Sequence, residues 1–208
     1  GPDGLLAGVE RHDVGEVLLS AWSCAHGVER WRSECGCFSD GGPDSHQRWR
    51  APVRAALDVL RDHAYAVFGQ RGTNVFVDPV AARDAFGDVL ANPAAWDDFV
   101  DRHVRPLASE AEARVLLDSQ EATLASFTSC GWFFADLARR EMAIVLGEAA
   151  RSVELLTGLG EAPPIAEALN LLDKAEGVPG RGPSGRAVWA WALEFAPEWE
   201  GSGHDGHW

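Results

Sequence analysis

Across residues 132–159 the apolar side chains recur three and four positions apart. Phe133, Phe134, Leu137, Ile144, Val145, Leu146, Val153 and Leu156 follow this spacing, and Gly158 and Gly160 stop it. That period suits a helix with one buried face, since a strand would alternate every second residue. A second long stripe comes just before it. Ser109, with Glu112 three positions on, makes a capping box, and Val115, Leu116, Leu124 and Phe127 follow. Only residues 128–131 separate the two stripes. Helices over 109–127 and 132–158 are therefore expected to run antiparallel at the centre of the fold.

The rest of the chain follows the same logic. Val53, Ala56, Leu57, Leu60, Ala64 and Val67 are helically spaced behind Pro52. Asp78-Pro79 has the form of an N-cap and a first helical residue, ahead of Val80, Phe86, Val89 and Leu90. Asn92-Pro93 does the same for a short helix with Trp96, Phe99 and Val100, and Pro163-Pro164 opens another through Leu169 and Leu172. No run of alternating strand residues and no internal repeat occurs. The fold class is all-α: a helical bundle with two long central helices. Residues 1–176 are expected to form the bundle. Residues 177–208 are expected to be a Gly/Pro linker, a short apolar stretch over 187–195 and a mobile tail ending at Trp208.

Charge and hydropathy remove several classes of partner. The chain has 32 acidic against 18 basic residues, a net charge of -14, and so repels a phosphate backbone; no nucleic acid is expected. No apolar run approaches the roughly 20 residues that span a bilayer, so no membrane is expected. The start, Gly1-Pro2-Asp3-Gly4, carries neither the basic nor the apolar region of a signal peptide. A cytoplasmic, reducing setting follows as the expectation, in which thiols are free or bind metal and do not pair.

Residues 20–50 depart from the helical pattern. This stretch holds three of the four Cys, three Trp, two His and four Arg, with frequent Gly. Cys24 and His26 form one closely spaced pair, Cys35 and Cys37 another, and together they supply the four soft or imidazole ligands that zinc takes. Each pair encloses a single residue, a tighter link than the usual zinc spacing. An iron–sulfur cluster on Cys24, Cys35, Cys37 and Cys130 would use every thiol of the chain, although the spacing matches no common ferredoxin run. A thiolate–imidazole nucleophile from Cys24 and His26 is a further reading. Glu121, Glu141 and Glu148 lie on the long stripes without a motif that fixes a catalytic pair, so no catalytic residue is assigned. Trp22, Trp31 and Trp49 flank the segment and Trp132 follows Cys130 closely. Flat Trp faces suit sugar rings, and Arg30, Arg32, Arg48 and Arg50 can donate to hydroxyls.

Four strings carry a family resemblance: WSCAHGVERWRSECGC from Trp22, WRAPVRAALDVLRD from Trp49, DPVAARDAF from Asp78 and TSCGWFFADLARRE from Thr128. They resemble the C-terminal helical domain of unknown function that follows the catalytic barrel in a bacterial branch of glycoside hydrolase family 57. The resemblance implies a non-catalytic bundle that closes over a sugar cleft, with carbohydrate or a separate catalytic barrel as partner. It implies substrate contacts from Trp22, His26, Arg30 and Trp132, with Cys130 beside them. No strand-rich segment for a barrel is present here, so a complete hydrolase is not expected. Because all thiols fall in two Trp-flanked strings, Cys24, His26, Cys35, Cys37 and Cys130 are expected to gather with Trp22 and Trp132 in one place, around zinc or an iron–sulfur cluster.

Overall fold

The computed structural model describes residues 24–201 apart from 38, 43 and 181, with side chains described as far as residue 194. Trp22 and the tail beyond residue 201 therefore lie outside the described residues. The fold is all-α. In chain order the helices are α1 (Arg50–Val75), α2 (Pro79–Ala91), α3 (Trp96–His103), α4 (Glu110–Ala125), α5 (Cys130–Phe133), α6 (Arg140–Gly158), α7 (Ile165–Leu172) and α8 (Gly185–Gly201). Isolated β-bridges join Phe76 with Val104 and Glu176 with Ser184. None of the described helices is long and apolar enough to cross a membrane.

The spine is α1, whose 26 residues span about 39 Å. Its first half and its second half serve different cores. Val53, Ala56, Leu57 and Leu60 join Trp132, Leu137, Met142, Val145, Leu146, Leu172, Val188 and Trp189 in one cluster. Ala64, Val67, Phe68 and Val75 join Phe86, Val89, Phe99, Leu116 and Leu117 in the other. The apolar stretch after residue 185 thus packs into the same core as α1 and α6.

Local chemistry sets the helix starts. The Asp78 carboxylate accepts from Val80 N and Ala81 N at 3.0 Å each, with Pro79 as first helical residue. Asn92 caps through Ala94 N at 3.3 Å, and a 3-10 turn, Pro93–Ala95, leads into α3. Ser109 accepts from Glu112 N at 3.3 Å, but the capping box is only half made. The Glu112 carboxylate turns to Arg71 at 2.6 Å, which also binds Glu161 at 2.9 Å.

Two sequence expectations need correction. The buried face of α4 is Ala113, Leu116, Leu117, Gln120 and Thr123, whereas Leu124 is 55% exposed. This face meets α6 through hydroxyls as well as apolar groups: Thr123 Oγ1 lies 2.8 Å from Ser152 Oγ. The second long helix also does not run unbroken from residue 132. The chain leaves α5 at Phe134, which is extended at ψ 165, and α6 starts only at Arg140. Within the connector Asp136 accepts from Ala138 N at 2.9 Å, a local turn that competes with helix. The carbonyls of Phe133 and Phe134 are taken by arginines from residues 30–50.

Candidate metal centre

The stretch from Cys24 to Arg50 is mostly irregular because glycines and side-chain bonds set its path. A short 3-10 turn, Glu29–Trp31, follows Gly27, whose φ is 67°. Gly36 has a φ of 78°, the left-handed region that L side chains avoid. This turn lets the tight Cys35–Gly36–Cys37 link work. It folds Cys37 back so that its backbone N–H donates to Cys35 Sγ at 3.4 Å.

Four ligand atoms converge there. Those of Cys24, His26, Cys35 and Cys37 all lie within 4.8 Å of one another. Cys24 Sγ is 3.6 Å from Cys35 Sγ. His26 Nδ1 is 3.9 Å from Cys24 Sγ and 3.4 Å from Cys37 Sγ. A tetrahedron with zinc-like bond lengths has edges of about 3.8 Å between sulfurs and about 3.6 Å between sulfur and nitrogen. Three of the six edges are close to those of such a tetrahedron, and the group as a whole could hold a metal ion.

The thiols are unequal. Burial pushes the Cys24 thiol up, but hydrogen bonds from the His26 backbone and ring and from Cys35 and Cys37 outweigh it and bring it down to about 6. Cys35 moves the other way: burial raises it, more than the Cys37 backbone N–H lowers it, and the Cys24 charge adds to the rise. Without a cation the pocket favours one thiolate over its neighbour. An ion's positive charge would let all three ionise.

Around the ligands stands a shell of bonds to the α5–α6 connector. Arg30, 2% exposed, donates to Phe133 O at 3.3 Å and to Ser39 Oγ at 3.4 Å. Arg50 donates to Cys37 O and Phe134 O at 3.2 Å each and reaches Cys35 Sγ at 3.9 Å. The Asp40 carboxylate accepts from Ala135 N at 3.0 Å, and Trp49 Nε1 donates to Ala135 O at 3.1 Å.

Not every expected residue takes its expected place. Cys130 stands outside the four-ligand group. It opens α5 and is exposed, because Trp132, two positions on, points into the core and stacks on Trp49 with ring centroids 6.0 Å apart. The second thiol string does pack against the first, through Trp132 and backbone carbonyls instead of sulfur. Trp132 is 0% exposed and so offers no face to a sugar. Arg30 is committed to the connector, and His26 to the thiols. Glu121 and Glu148 both pair with Arg151, at 2.9 and 3.7 Å, and Glu141 pairs with Arg139 at 3.8 Å. Sequence reasoning missed the special place of Arg50, which looked like one of four similar arginines; its position one turn ahead of the buried Val53 was the available signal.

A family model described as a domain of unknown function, DUF3536, matches residues 46–195. No curated protein matches the chain, and no solved structure does. The four clustered ligands precede the matched span, while Arg50 and the connector lie inside it.

Proposed function

The chain belongs to the DUF3536 family, and we propose that it is a non-catalytic helical domain whose irregular N-terminal lobe is organised by one zinc ion on Cys24, His26, Cys35 and Cys37. The size of the donor set supports this reading: three of its six edges, at 3.4, 3.6 and 3.9 Å, are close to those of a zinc tetrahedron, and all four ligand atoms lie within 4.8 Å of one another. Four protein ligands close the coordination sphere, which is the pattern of a structural ion; a catalytic zinc keeps a position for water. A reducing, cytoplasmic setting suits thiols kept free for metal. The family 57-like resemblance supports a place beside a carbohydrate-acting barrel, where the chemistry would be the barrel's. Sugar contacts in that setting would not come from Trp132 or Arg30, which are buried, whereas His26 is exposed.

The test is metal content. Protein purified with zinc present should carry one ion per chain by elemental analysis. Cobalt substitution should give the intense visible bands of a tetrahedral thiolate site. Cys35→Ser should lose the ion and Cys130→Ser should keep it. Protein that binds no zinc, or a Cys130→Ser variant that loses it, would defeat the assignment.

A further inference from the structure

Arg50 is 0% exposed, and a guanidinium removed from water normally sits against a carboxylate. Here it does not. Its partners among the described residues are two backbone carbonyls, the Trp49 ring and Cys35 Sγ. No ion pair with Asp or Glu accompanies it among those residues, and its Nε has no hydrogen-bond partner. Among the described residues, the ionisable group that its guanidinium reaches is the Cys35 thiol of the cluster.

The charge arithmetic of that cluster supplies the missing anion. A divalent ion with three thiolates and a neutral imidazole carries one net negative charge. The bonds that Arg50 makes aim it at this charge: the fork that donates to Cys37 O and Phe134 O also places Nη1 3.9 Å from Cys35 Sγ.

We infer that Arg50 is the built-in counter-charge of the metal centre, a buried positioning and charge-balancing residue outside the ligand sphere that stabilises a half-buried three-thiolate zinc site from its inner side. This rests on the zinc reading above. Two consequences separate it from a merely structural role. A neutral residue that still donates hydrogen bonds should not replace Arg50, whereas a charged one should do so in part.

The experiment compares zinc affinity in wild-type protein, R50Q and R50K by competition with a chromophoric chelator, with helicity followed by circular dichroism. R50Q should bind zinc about ten- to a hundredfold more weakly than wild type, the usual loss for a partner behind the ligands, and R50K should lie between the two. R50Q binding zinc as tightly as R50K or wild type would overturn the inference while leaving the zinc site standing. If R50Q does not fold, R50K decides, and a loss of about a hundredfold there would overturn it. Wild-type protein that binds no zinc removes the zinc reading and this inference together.

Discussion

Gly36 sits between two ligands with a φ of 78°, and a Cβ built there would meet nothing within 4 Å. Space is therefore not what demands glycine; the backbone conformation is. Gly36→Ala should cost about 1–2 kcal/mol where the turn is formed, which appears as roughly 5- to 30-fold weaker zinc binding. Calorimetric titration of the variant checks this, and unchanged affinity would mean the turn is not needed. The four ligands were legible in the sequence because they come as two close pairs in one stretch without helical periodicity. The exclusion of Cys130 was not. It depends on which way α5 turns: two helical positions rotate a side chain by about 200°. Trp132 claims the inward direction by stacking on Trp49, so the thiol faces out. Nothing in the string around Cys130 tells which of the two residues wins that contest.

The connector between α5 and α6 shows the same limit for an element. Its apolar spacing continues the helical stripe, so sequence pattern alone predicts one helix over 132–158. Side chains from far upstream supply the competing bonds: Arg30 and Ser39 to Phe133 O, Arg50 to Phe134 O, Asp40 to Ala135 N and Trp49 to Ala135 O. Tertiary bonds of this kind leave no mark on local periodicity. By contrast, the starts of α2 and α3 were legible, since Asp78-Pro79 and Asn92-Pro93 cap within their own neighbourhood. The pattern of bonds has a dynamic consequence. Stripping the metal should raise amide exchange first over residues 24–50, and then in the connector over 134–139, which lies far downstream of the ligands in sequence. The middle of α6 should stay protected, because Val145, Leu146 and Ala149 lie in the core. Hydrogen exchange with and without a chelator checks this order; exchange that rises in α6 as early as in the connector would contradict it.

Because α1 contributes to both hydrophobic clusters, the molecule has no seam along which the two cores can part without breaking a helix. Leu57→Ala, at a position 1% exposed, should cost about 2–5 kcal/mol. The loss should be felt by the whole molecule, with circular dichroism and Trp fluorescence reporting one coincident urea transition. Two separated transitions would show that the cores unfold independently. The metal centre adds a pH dependence to this global stability. In the metal-free fold burial raises the Cys24 thiol, but the hydrogen bonds around it prevail and take it from an ordinary 9.0 to about 6. Between those values the unfolded chain holds a proton that the folded chain has released, so rising pH favours the fold. Metal-free protein should therefore gain stability as pH climbs from about 6 towards 9, and this contribution should be absent below 6. Zinc acts on top of this and needs the thiols deprotonated. At neutral or mildly alkaline pH, free zinc at a hundred times its dissociation constant should add about 2.7 kcal/mol. On acidification the three thiolates take up protons and expel the ion, so the zinc-loaded and metal-free denaturation curves should converge. Urea midpoints with zinc and with chelator, measured across that pH range, test the argument. A zinc-dependent gap that survives undiminished into acid would mean the ion is held by groups other than these thiols.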